Sequence, residues 1–424
     1  KGNALVADHD IHTGAIGHLH LDATLSRYGL KHSRSPQVME AMFSSQSLPS
    51  EMAIALLFLF EKAQGKRSFW ESYFSVLTDH LTGVLSFTEE EVEWRDGSPG
   101  VAYDLYAINS TFERVWEHFQ QRKFNMAYQF SLERYTKDAL RWGFYHVMSR
   151  AFGAQSVYGG DKVVLPFVDC GNHDVAGAAL NPGIAYHFDD KANRAVLFAE
   201  RTGGGVAYRK GQEVFIKYGD LPNYHLWLQY GYTLRPNPRD RVLLHPPERN
   251  HTGSVEGETV RNEIWEKIQE AVGRDIQFFA FEDSLSPSLL PRIRLDSLSS
   301  IQQLRAFECA SHLTQNAQLQ LTHPSPNHLK LIHSLYLTSP HNSHNSTHRA
   351  DLIGNRPLHD PHLEQIAVDR LLGLLTELQD ANRRFQDTRL FQSDAKSDGH
   401  GAAIVRSEER ILKETLQRAR ALSR

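Results

Sequence analysis

The chain has 424 residues, a formal net charge of −4 and 23% charged residues, so it lacks the strongly basic character of a protein that coats nucleic acid. Two cysteines, Cys170 and Cys309, are too few for a disulfide scaffold or a cysteine-rich zinc site, and suit a reducing compartment. No apolar run approaches the ~18 residues of a membrane span; the longest, Met52 to Phe60, has helical composition.

In chain order, Lys1 to Ala7 leads through Asp10-Ile11 to a turn at Gly14. Glu51 to Ala63 predicts a helix that is apolar on most sides, hence buried, and closed by Gly65. The acidic residues from Glu89 to Glu93 read as a solvated helix start. Leu132 to Phe152 predicts one helix carrying Trp142, Val147 and Met148 and stopped by Gly153. An apolar strand from Val163 to Val168 then ends in the polar cluster Asp169-Cys170-Gly171-Asn172-His173. Three β-like pieces follow, Ile184 to Phe188, Ala195 to Ala199 and Val206 to Tyr208. Gly203-Gly204-Gly205 reads as a turn. It is no phosphate loop, because no Lys-Ser/Thr follows, and no G-x-G-x-x-G opens a helix, which disfavours a Rossmann-type enzyme. A second alternating strand, with Val214, Ile216 and Tyr218 on one face, ends at Gly219 and is followed by Asn223 and Tyr230-Gly231-Tyr232. Strand ends that carry polar side chains are favoured places for sites, because the strand is rigid and the loop after it is free to vary.

After Arg241 the composition shifts. His245 to Asn250 is a linker by its prolines, and Thr259 to Val272 is amphipathic. Ser299-x-x-Gln302 predicts a capping box, and Leu363 to Phe385 and Val405 to Leu422 predict helices. Thr322 to His362 is rich in His, Pro, Ser and Asn and predicts a loop. Its His341, His344 and His348 have no cysteine nearby, and no metal site is expected.

The ordered signatures Leu165-Pro166-Phe167-Val168-Asp169-Cys170-Gly171-Asn172-His173 and Gly211-Gln212-Glu213-Val214-Phe215-Ile216-Lys217-Tyr218-Gly219 resemble the SET-domain methyltransferases. The resemblance is to the branch of the Rubisco large-subunit lysine methyltransferase and the actin-histidine methyltransferase. Ser68-Phe69-Trp70-Glu71-Ser72-Tyr73, Ser149-Arg150 and Arg292-Ile293-Arg294 extend it. It implies an α+β fold: a β-rich SET domain with pseudoknot-like threading, a helical insertion and an all-helical C-terminal domain. On this pattern 1–30 is the N-terminal SET part and 31–140 the insertion. The C-terminal SET part is 141–242, and 257–424 is a helical substrate-binding domain like that of the Rubisco methyltransferase.

The resemblance further implies a protein-lysine N-methyltransferase that uses S-adenosylmethionine, releases S-adenosylhomocysteine and acts on a non-histone protein. Tyr218 would point its hydroxyl at the transferring methyl. Asn3, Ala4, Arg150, Asp169, Asn172, His173, Tyr230, Gly231 and Tyr232 would bind the cofactor, and Phe152, Tyr218 and Tyr232 the substrate. Ala4 stands where the family has glycine, and Tyr224-His225 where Ala-Glu is common. In the actin-histidine enzyme the residue two after the arginine is asparagine, suited to an imidazole. Phe152 here is an aromatic wall suited to a lysine stem, so lysine is the expected acceptor. The alternatives are a histidine acceptor on the same fold and a catalytically silent SET-fold interaction protein. Further expectations are a monomer without membrane or nucleic-acid partners, in the cytoplasm or nucleus, with an organelle requiring a targeting segment before Lys1.

Overall fold

The computed structural model describes residues 5–33, 36–37, 40, 44, 50–87, 92–120, 136–153, 162–173, 184–189, 191–199, 205–245, 254–272, 277–281, 285–286, 289–300, 302–304, 361–396 and 399–422. They divide into two units, Lys1–Val92 with Tyr103–Pro238, and Glu93–Ala102 with Arg239–Arg424. Among the described residues, no helix is long and apolar enough to cross a membrane, and no His, Cys, Asp and Glu cluster could hold a metal ion. Cys309, His341, His344 and His348 lie outside the described residues.

In the first unit, helix α1 (Ser50–Gln64) buries every residue from Met52 to Leu59. A helix that is apolar all round belongs inside, and Gly65 closes it at φ 55°. It packs on helix α3 (Lys137–Arg150), which follows α2 (Pro99–Gln120) in the chain. Gly143 permits the approach, since a Cβ there would lie 2.9 Å from the Ala55 carbonyl oxygen. Thr136 caps α3 by accepting from the Ala139 N–H at 3.1 Å. The helix stops at Arg150, two residues short of the predicted end. Residues Ala151–Gly153 form strand β4, whose backbone pairs with β5 (Lys162–Val164) instead of continuing the helical ladder. Phe152 is therefore a strand residue, opposite Val163. The strand predicted to run to Val168 ends early as well. Pro166 has no N–H for a ladder, and Phe167 turns the chain at φ 68° into a single helical turn, Val168–Cys170.

The strands of this unit are short and antiparallel. β1 (Leu5–Val6) pairs with β9 (Glu213–Val214), and β2 (Ile11–His12) with β8 (Val206–Tyr208). β3 (Gly14–His20), β7 (Arg194–Ala199) and β6 (Ile184–Asp189) form a three-stranded sheet with β7 central. The alternation of the second signature holds, because Val214 and Ile216 are buried and Tyr218 packs against the same core. Only Glu213 and Val214 are laddered as a strand. Phe215 and Ile216 instead make isolated parallel bridges, to Asn172 and to Ile184.

The second unit is mostly helical. Strands β10 (Arg241–Leu244) and β11 (Phe278–Phe281) pair antiparallel. Among its described residues are helices α5 (Val255–Val272), α6 (Leu289–Ser297), α7 (Pro361–Gln386), α8 (Arg389–Lys396) and α9 (His400–Leu422). Leu289, Ile293, Leu371, Leu375, Leu412 and Leu416 form its core. The predicted capping box is displaced by one residue. Ser300 Oγ accepts from the Gln303 N–H, and Gln303 Oε1 accepts from the Ser300 N–H, both at 3.2 Å.

Candidate active site

The two signatures meet where the second one passes the turn of the first. The Asn172 carbonyl accepts from the Ile216 N–H at 2.8 Å, and the Phe215 carbonyl accepts from the Ile184 N–H at 2.6 Å. The turn at Asn172 and the first residue of β6 thereby both pair with the segment Phe215-Ile216. Gly171 makes the crossing close, since a Cβ there would lie 2.5 Å from the Ile216 side chain. The crossing fixes Tyr218. Its N–H donates to His173 Nδ1 at 3.1 Å, and its hydroxyl donates to the Gly171 carbonyl at 2.9 Å. The His173 and Tyr218 rings stack with centroids 5.1 Å apart. His173 Nδ1 also lies 3.4 Å from the Ile216 carbonyl.

Tyr230 ends helix α4 (Asn223–Tyr230) and lays its ring on that of Tyr218, 4.7 Å between centroids. Gly231 then turns the chain at φ 79°, where a Cβ would come within 2.6 Å of the Thr82 side chain. Burial pushes the Tyr218 phenol up to about 12 and raises those of Tyr186, Tyr230 and Tyr232 as well. These hydroxyls remain protonated at neutral pH.

A charged cluster lies beside the phenols. Asp169, with its side chain fully buried, accepts from the Tyr73 hydroxyl and from Arg150 Nη1 at 3.3 Å. Nη1 also donates to the Asp169 carbonyl at 3.3 Å. Burial raises Asp169, with Arg150 and the Tyr73 hydrogen bond opposing. Burial works against the Arg150 charge too, but Asp169, Tyr73 and Cys170 together outweigh it, and the guanidinium stays ionised. Arg150 Nε donates to His146 Nδ1 at 3.3 Å, while His146 Nε2 lies 2.9 Å from the Thr78 carbonyl. Burial and the adjacent guanidinium push His146 down to about 3, which keeps the ring neutral and fits the tautomer that donates from Nε2.

Several of these groups line a cavity of about 340 Å³. Arg150, Phe152, Asp169, Tyr186, Tyr218 and Tyr230 line it. Phe152 and Tyr186 meet edge to face, with centroids 4.9 Å apart. Glu51, Lys162 and Lys217 line the cavity as well, and α4 contributes His225 and Gln229.

No protein-family model matches the chain. Among curated proteins it is similar to a ribosomal lysine N-methyltransferase of Schizosaccharomyces pombe, 22% identical over 238 residues, 54% of this chain and 41% of that protein. It is similar to the actin-histidine N-methyltransferase of Homo sapiens, 24% identical over 226 residues, 50% of this chain and 35% of that protein. It is also similar to the chloroplastic Rubisco large-subunit N-methyltransferase of Pisum sativum, 25% identical over 258 residues, 57% of this chain and 48% of that protein. The chain thus spans less than half the length of these relatives. Among solved structures, the SET domain of LSMT bound to lysine and AdoHcy superposes with a TM-score of 0.67 at 16% identity, covering 99% of this chain and 84% of that one. Rubisco LSMT bound to sinefungin and monomethyllysine superposes with a TM-score of 0.64 at 16% identity, again covering 99% and 84%. The chain has the SET fold.

Within that fold, the structure brings Arg150, Phe152, Asp169, Tyr218 and Tyr230 to one cavity. Asn172, His173, Gly231 and Tyr232 are not on its wall. The exposed Asn172 amide donates to Glu213 Oε1 at 2.5 Å, and His173 supports Tyr218 from behind. The buried Tyr232 hydroxyl has no hydrogen-bond partner among the described residues. Asn3 and Ala4 lie outside those residues. Four further groups were not singled out from sequence as site residues: Tyr73, His146, Tyr186 and His225. Tyr73 closes the Ser-Phe-Trp signature, and His146 precedes Arg150 by one helical turn, so those two carried a readable signal. Tyr186 looked like any strand aromatic.

Proposed function

We propose that the chain is an S-adenosylmethionine-dependent protein N-methyltransferase whose acceptor is a lysine side chain. The observation that carries this reading is the Tyr218 hydroxyl donating to the Gly171 carbonyl at the edge of an aromatic-lined cavity. Its only proton is engaged there, so the phenol oxygen keeps its lone pairs for a polarised C–H group, a weak but directional contact. When bound, S-adenosylmethionine supplies an electrophilic methyl on a sulfonium. The residues present fit that group. Arg150 offers a guanidinium to a carboxylate, and the surrounding phenols are neutral. Arg150 and Tyr230, which line the cavity, would hold the cofactor.

The acceptor nitrogen must arrive neutral and in line, and alignment alone lowers the barrier by up to ~7–11 kcal/mol. Phe152 and Tyr186 wall the cavity with apolar ring surface, which suits the methylene stem of lysine and disfavours its ammonium form. This favours lysine over histidine, although relatives of both kinds match the chain. The substrate would be a protein, as the names of the curated relatives suggest.

The test uses calorimetry with S-adenosylmethionine and transfer of labelled methyl into host lysate, with Tyr218→Phe beside the wild type. Cofactor binding by both proteins is expected, with transfer roughly 2–5-fold slower in the variant, the scale of losing one C–H···O contact of about 0.5–1 kcal/mol. Equal transfer rates would sink the reading.

A further inference from the structure

On the same cavity wall as the charged cluster, α4 contributes His225. Its Nδ1 lies 2.8 Å from Asp104 Oδ2 of α2, and its ring lines the same cavity as Tyr218. Gln229, one helical turn later, and the adjacent Tyr230 line that cavity too, so this face of α4 is its wall. Gln229 is tied to the Met148 carbonyl, which holds α4 against α3. A carboxylate on Nδ1 fixes the tautomer that leaves Nε2 without a proton, the arrangement by which a third group orients an imidazole base.

We propose that the Asp104–His225 pair is the base that receives a proton from the acceptor ammonium before methyl transfer. The inference rests on the methyltransferase reading above. In the step, an N–H bond of the acceptor ammonium breaks and its electron pair stays on nitrogen. A new N–H bond forms at His225 Nε2, directly or through one water. The imidazolium charge is balanced by Asp104, and the proton then leaves to solvent.

Other groups on the wall are less suited. The phenols of Tyr186, Tyr218 and Tyr230 are already protonated. Asp169 is engaged by Arg150 and Tyr73. Lys217 pairs with Asp220 at 3.2 Å, and Lys162 is a cation. Glu51, on α1, is the remaining carboxylate and accepts from Ser50 Oγ at 3.3 Å.

The experiment compares the wild type with His225→Gln, Asp104→Asn and Glu51→Gln. Free lysine is the acceptor probe, with labelled S-adenosylmethionine, between pH 6 and 10. S-adenosylhomocysteine affinity and thermal midpoint are measured on each protein. The histidine ring signal absent from His225→Gln is followed by NMR as lysine is added to the S-adenosylhomocysteine complex. The expected result is a 10²–10³-fold loss of rate at neutral pH in His225→Gln. That gap should narrow towards pH 10, where solvent deprotonates the amine. Cofactor affinity should stay within threefold, and the His225 signal should move when lysine binds. A loss that is equal at every pH, or one that appears in Glu51→Gln instead, would overturn the dyad. So would a His225 signal unmoved by bound lysine. A wild type that fails to bind S-adenosylhomocysteine would overturn the methyltransferase reading, and the dyad with it.

Discussion

Arg150 in the first unit and Arg294 in the second are both withdrawn from water, with side chains 21% and 2% exposed. Arg294 is gripped by Glu364 in a bidentate pair, Nη2 to Oε1 at 2.6 Å and Nε to Oε2 at 3.0 Å. Among the described residues, Arg150 makes contacts of 3.3 Å with a carboxylate, a carbonyl and a neutral imidazole, and it lines a cavity. Short bidentate geometry closes a guanidinium. Long shared contacts hold one in place while leaving it room for a further anion. The same residue type therefore serves helix packing in one unit and a site in the other, and contact geometry tells the two apart.

The largest expected effect breaks the closed pair. Glu364→Ala leaves Arg294 buried without its carboxylate and should cost about 3–5 kcal/mol of stability in denaturant titrations of the full chain. Asp169→Asn should behave differently. The amide still accepts from Tyr73, and water in the cavity can reach Arg150, so the stability loss should be about 1–2 kcal/mol. Methyl transfer should nevertheless fall by at least tenfold, because Arg150 loses its anchor. Equal stability losses in the two variants would erase the distinction between a closed and an open arginine.

Buried carboxyls sharpen the contrast. Asp169 has a cation beside it, whereas Glu408 in the second unit accepts from Ser98 Oγ at 2.6 Å and feels the repulsion of Asp240. Burial pushes Glu408 from 4.5 up to about 8. The folded carboxyl then keeps its proton in a range where the unfolded one has lost it. Unfolding releases a proton there, so stability falls as pH rises from about 4.5 to about 8 and levels off above. The slope has an upper limit of about 1.4 kcal/mol per pH unit. Glu408→Gln mimics the neutral acid and should flatten this slope in denaturant titrations at pH 5, 6, 7 and 8. A parallel slope in the variant would show that the carboxyl is ionised when folded.

Much of this could be read from the chain because the relevant signals are local. The all-apolar run from Met52 to Leu59, the alternation of Val214, Ile216 and Tyr218, and the ordered Asn-His and Tyr-Gly ends each carry their period or motif in a few residues. Sequence misplaced what tertiary pairing decides. Phe152 looked helical until β5 took its backbone, and the strand from Val163 was cut by Pro166 and the positive φ of Phe167. The pairs Asp104–His225 and Tyr73–Asp169 join residues 121 and 96 positions apart, which no window of sequence can couple. The Ser300–Gln303 box was missed by one residue because Ser299 and Gln302 offer the same pattern.

The smallest expected effect concerns acceptor choice. Phe152 presents its ring edge-on to Tyr186, and together they form the apolar wall against which a lysine stem would lie. Phe152→Asn replaces ring surface with an amide that can pair with an imidazole, at the cost of packing on Tyr186. Transfer to lysine should drop about tenfold, since removing apolar wall area of this kind shifts discrimination by roughly 1–3 kcal/mol. Methylhistidine should appear among the products of the same lysate assay, measured by amino-acid analysis. The Tyr186 hydroxyl, 3.4 Å from the Gly153 carbonyl, helps keep the wall upright, so Tyr186→Phe should leave the lysine-to-histidine ratio unchanged while lowering both rates modestly. A variant that kept full lysine transfer and formed no methylhistidine would mean that acceptor choice is set elsewhere on the cavity wall, and α4 would then be the first place to look.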